Sequence, residues 1–150
     1  MSSTIPTRLF RNGRPVVLEF KSDELLFMRA RPEDVLGGKV DGTAVRFPDF
    51  SVNRGMFSEP KDVLLPCHDN MCVCQFQVRD IPQGSHLPAG SQREYTFEVV
   101  HVPEEENYSH SEVQAYKDGV HPPKLKLPNT TKKWFRDQLR QKMRVVIRPA

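Results

Sequence analysis

A chain of 150 residues, 27% charged and 37% hydrophobic, has the size and composition of one globular domain. No window holds the ~18 apolar residues needed to cross a bilayer, and the polar start from Met1 to Thr7 lacks the basic-then-apolar order of an export signal. Three Cys is an odd count, which points away from a disulfide scaffold and toward a soluble protein of a reducing, cytoplasmic compartment.

Taken in order, residues 1–15 carry Arg8, Arg11 and Arg14 around the turn signal Asn12-Gly13. They read as a basic, flexible tail that adds little to a core. Val16–Phe20 is a candidate first strand, and the apolar run from Glu24 to Ala30 is a stronger one, with Arg29 near its end. Pro32-Glu33-Asp34-Val35-Leu36-Gly37-Gly38 has proline first, acids in the opening turn and glycine as a stop, which describes one helical turn. Glu59–Leu64 repeats that grammar. Between them, Asp41-Gly42 inside Lys39–Phe47 predicts a hairpin, followed by a polar loop from Pro48 to Gly55.

Met71–Val78 alternates so that Cys72, Cys74, Phe76 and Val78 share one face of a strand. A surface loop over 80–93 leads to a strand over Tyr95–Val100, and a further alternating run covers Ser111–Tyr116. From Thr130 to Met143 the apolar spacing Phe135, Leu139, Met143, with Trp134 alongside and Thr130 or Thr131 as cap, predicts a helix. Val145–Ile147 follows as a last strand. The whole reads as an α+β domain over 16–150: a mainly antiparallel sheet of short strands, barrel-like closure being one option, with one-turn helices and a single C-terminal amphipathic helix.

Chemistry-bearing residues gather in three places. His101 to Glu112 holds two His, four Glu, Asn107 and Tyr108 between two strands. If those strands pair, His101 and His110 could act as acid and base, since imidazole titrates near pH 6.5; ordinary loop hydrogen bonding is the plainer alternative. Ser51, Asn53 and Arg54 present a hydroxyl, an amide and a guanidinium within four residues, and Arg29 could join them. Arg suits carboxylate or phosphate because its planar fork binds two oxygens at once. The alternative for Arg54 is an internal ion pair. Cys67-His68 with Cys72 and Cys74 offers zinc-type donors at the wrong spacing, so no metal and no cofactor is expected.

The last twenty residues carry seven Lys or Arg against Asp137 alone, a local charge of +6 in a chain of +3. Lys132, Lys133, Arg136 and Arg140 could therefore meet nucleic-acid phosphates, or simply be the solvated side of the helix. The leading expectation is a binding module that holds a protein partner or an anionic ligand through Arg29, Ser51, Asn53, Arg54, His101, Asn107, Tyr108, His110 and Glu112. One alternative is a metal-independent phosphodiester-cleaving or nucleotide-processing enzyme using His101, His110 and Arg54. The other is a nucleic-acid binder acting through the basic helix.

Overall fold

Period-two alternation builds the sheet. The computed structural model describes residues 5–36, 39–41, 44–64, 70–122 and 125–148. Its main strands are β1 (Leu25–Ala30), β4 (Phe50–Arg54), β5 (Cys72–Gln77), β6 (Tyr95–His101), β7 (His110–Lys117) and β8 (Arg144–Ile147). A separate ribbon pairs β2 (Val35–Leu36) with β3 (Lys39–Val40). The six strands lie in the order β6-β7-β4-β1-β5-β8, and every neighbouring pair is antiparallel. The expected antiparallel α+β architecture is present, but the barrel-like option is not. β6 and the four-residue β8 are edges of an open sheet, and a helix rather than more sheet closes one face.

That face is the core. Leu26 and Met28 of β1, Phe50 and Val52 of β4, Cys74 and Phe76 of β5, and Phe97 of β6 lie beneath α1 (Asn129–Arg140). Phe135 and Leu139 of the helix are fully buried. Phe135 sits among Phe97, Phe47 and Phe50 at centroid distances of 4.5, 4.9 and 6.1 Å. Neither Thr130 nor Thr131 caps the helix; Pro128 precedes it, and the Thr131 hydroxyl meets His86 Nδ1 at 3.1 Å.

Two local expectations move. In place of the hairpin predicted about Asp41-Gly42 there is a shorter ribbon that pairs Val35 with Val40 and Leu36 with Lys39, and Gly42 itself lies outside the described residues. The polar loop predicted over 48–55 is largely β4, in the middle of the sheet. Its sequence alternates so that Phe50, Val52 and Arg54 face the helix side while Ser51 and Asn53 face away.

The N-terminal segment also differs from expectation. It buries Leu9, and backbone bonds run from Tyr108 N to Leu9 O and from Arg11 N to Glu105 O, at 2.7 and 2.8 Å. Val16–Phe20 is not a strand. It crosses the helix-side face as an extended strap, held by side chains rather than by a ladder.

Candidate functional site

The sheet divides the expected site residues between its two faces. On the face away from α1, the described residues cover the sheet only in part: Val63, from the 3-10 turn Pro60–Leu64, packs on Phe27 and Val73. Beside that cover runs a groove of about 420 Å³ lined by Arg29, Ser51, Asn53, Asn107 and His110, with Asp62, Glu104 and Glu106 also on its walls. Asn53 and His110 are partners in the β4–β7 register, as are Ser51 and Glu112, so strand pairing itself brings these polar groups together.

Hydrogen bonds hold the groove's walls. Asn53 and Asn107 exchange amide bonds, Nδ2 to Oδ1 at 3.2 and 2.9 Å, which ties β4 to the turn before β7. Ser109 Oγ donates to Asn107 Oδ1 at 2.7 Å. His110 Nδ1 lies 2.8 Å from the Val102 carbonyl. With a carbonyl as its partner that nitrogen is the donor, and Nε2 has no hydrogen-bond partner among the described residues. Asp62 is fully buried and receives Arg8 Nη2 on both oxygens, at 2.6 and 2.8 Å, together with the Glu59 N–H at 2.7 Å. Asp62, Glu104 and Glu106 were not among the expected site residues. The helix-start grammar of 59–64 put an acid in its first turn, but nothing local placed Asp62 on the same groove as His110.

On the opposite face lie Arg54, His101 and Tyr108, under the N-terminal strap. Arg54 is wholly buried. Its Nε and Nη2 grip both oxygens of Glu24, at 2.9 and 2.8 Å, while Nη1 donates to Val17 O at 2.6 Å and Nη2 to Glu19 O at 2.8 Å. Phe20 stacks on the guanidinium at 3.8 Å. The donors of its fork are thus committed inside the protein, the arrangement of an internal ion pair. Gly55 follows because a side chain there would meet the Leu25 carbonyl at 2.8 Å. The close approach that the glycine permits is by the protein's own backbone.

His101 is buried with both ring nitrogens engaged: Nε2 lies 2.6 Å from the Tyr108 carbonyl, and Nδ1 accepts the Val17 N–H at 2.9 Å. Burial pushes its pKa below the usual imidazole value, with Arg54 and Arg11 adding to the effect against the Tyr108 carbonyl and Glu24. The Tyr108 ring packs on Phe57 and His101 at 4.6 and 5.0 Å, and its hydroxyl donates to Pro15 O at 2.6 Å. Arg54, His101 and His110 therefore do not converge, and the acid–base pair of the enzyme reading is not assembled.

Across all these features, no family model, curated protein or solved structure matches the chain.

The other candidates are placed as follows. Arg136 and Arg140 turn their Nε groups onto the carbonyls of Val45 and Val40, at 2.9 and 2.6 Å, and Lys133 pairs with Asp137 at 2.6 Å. Much of the helix's basic charge thus secures the 40–45 segment or its own surface. Cys72 and Cys74 are free and buried, and burial pushes the Cys74 thiol up to about 12. Among the described residues no three His, Cys, Asp or Glu side chains group as a metal site would need; Cys67 and His68 lie outside those residues. No described helix is long and apolar enough to cross a membrane.

Proposed function

We propose that the chain is a small binding module that holds an extended segment of a protein partner in the groove beside the 60–64 turn. The observation that carries this reading is the mixed chemistry of one cleft. Arg29, Ser51, Asn53, Asn107 and His110 share it with Glu104 and Glu106. Its volume is within the ~300–1,000 Å³ of ligand clefts. A free multivalent anion would meet the carboxylates as well as Arg29. A polypeptide instead offers amides to Asn53 and Asn107 and charges of both signs to the walls. The two free thiols at Cys72 and Cys74 support a reducing, cytoplasmic setting.

A second reading, an anionic ligand, draws support from the adjoining groove of about 340 Å³, which shares Arg29 and Ser51 and adds Arg31 and Arg46. Arg31 is paired with Asp34 at 3.0 Å, and Asp49 also lines that groove, which weakens the case.

Site-specific photo-crosslinking tests the proposal without a known partner. A crosslinking amino acid at Ser51 should give a discrete adduct in the cells that make the protein, and one at the exposed Leu87, on the far side by the helix, should not. Equal yields from the two positions would remove the groove as the working surface.

A further inference from the structure

Outside the groove, His101, Arg54 and Glu24 form a buried cluster beneath the N-terminal strap. We propose that residues 15–20 form an acid-released strap, latched over Arg54 by neutral His101 and freed when a proton binds His101 Nδ1. The latch is geometric. His101 sits at the end of β6, and the residue is 2% exposed. With Nε2 hydrogen-bonded to the Tyr108 carbonyl at 2.6 Å, that nitrogen must be the protonated one. Nδ1 is then a lone pair, and it accepts the Val17 N–H from 84 residues away at 2.9 Å. A second proton would set two donors face to face. The Val17 bond would be lost, and an imidazolium would be buried beside the Arg54 guanidinium.

The charged groups around the ring do not relieve this conflict. Arg54 approaches from β4, Arg11 from the N-terminal segment, and Arg14 stacks on Tyr108 at 3.8 Å. Glu24 is the acid acting on the ring, and both of its oxygens are already held by Arg54. Burial lowers the imidazole pKa in agreement with the geometry. Among the described residues the other hydrogen bonds of residues 15–20 belong to the same cluster: Val17 O and Glu19 O accept from Arg54, and Pro15 O accepts from Tyr108. Phe20 also packs against the core, and Arg14, just before the strap, is bonded to Arg8, Phe10 and Arg11 of its own segment. Release therefore strips two acceptors and the Phe20 ring from Arg54 while the sheet's backbone ladder stays intact. A guanidinium still paired with Glu24 would then face solvent.

The Val17 amide is itself the reporter. Its hydrogen-exchange protection, followed by NMR and corrected for intrinsic exchange, should fall about tenfold for each pH unit below about 6.5, down to the native imidazole pKa. At every pH it should remain well below the protection of Val113 in the sheet. His101→Gln supplies an acceptor and a donor that do not titrate, and should flatten the slope at Val17. If that variant does not fold, the wild-type profile still decides. A Val17 protection independent of pH from 8 to 5 would overturn the proposal. So would protection equal to that of Val113 throughout, because the strap would then open only with the whole protein.

Discussion

Replacing Arg54 with alanine removes one partner from a buried ion pair. Glu24, whose side chain is 9% exposed, would keep its charge without the fork that binds both its oxygens, and the Val17 and Glu19 carbonyls would lose their donor. Breaking such a pair costs about 3–5 kcal/mol, a large part of the ~5–15 kcal/mol that holds a domain of this size together. At about 2–4 °C per kcal/mol for this length, the melting temperature should fall by about 6–20 °C. Arg54→Lys should recover little of this, since an ammonium cannot span Glu24, Val17 and Glu19 at once. Removing the charges together, as Arg54→Met with Glu24→Leu, should restore part of the loss, because no unpaired carboxylate remains. The assay is urea and thermal unfolding of the four proteins. An Arg54→Ala protein within about 0.5 kcal/mol of wild type would refute the reasoning, because that is the range of an ordinary surface change.

Other outcomes follow from the same geometry. The native His101 pKa lies below the unfolded value near 6.5, so the unfolded chain binds the extra proton first. Stability should be level above about pH 6.5 and fall as the pH drops from there toward the native pKa, a loss that urea midpoints should show to be smaller in His101→Gln. Gly55→Ala drives a methyl into the Leu25 carbonyl, a backbone atom that cannot swing aside; unfolding titrations should show a loss of about 1–3 kcal/mol. Phe135→Ala empties the space among Phe47, Phe50 and Phe97, and calorimetry should register a loss of about 3–5 kcal/mol.

How far the sequence could be read depended on where each residue's partners lie. β5, β6, β7 and α1 were legible because their apolar spacing is local: Cys72, Cys74 and Phe76 at period two, Phe135 and Leu139 at one helical turn. β4 was hidden by its residue types. Phe50-Ser51-Val52-Asn53-Arg54 alternates throughout, but an arginine in the apolar phase looks like the end of a strand unless its neutralising partners are known. Those partners stand 30 to 37 residues away, in Glu24, Glu19 and Val17. The same distance effect split the site. Ser51, Asn53, Asn107 and His110 were picked out as polar; the β4–β7 register sets Asn53 beside His110, and the amide bonds of Asn53 bring in Asn107. His101 and Tyr108, only a few residues from His110, turn to the other face under a strap whose sequence gave no sign of docking there.

The central claim is that the groove, and not Arg54, is the working surface. It is tested most directly by comparing crosslinking from Glu104, an exposed residue on the groove's wall, in three backgrounds: wild type, the double variant Ser51→Arg with Glu106→Lys, and Arg54→Lys. Ser51 and Glu106 are exposed and carry no side-chain hydrogen bond among the described residues. The double variant should therefore keep the wild-type unfolding midpoint and lose the adduct, while Arg54→Lys should lower the midpoint and keep the adduct in whatever protein remains folded. An adduct that survives the double variant but disappears from folded Arg54→Lys would contradict the account.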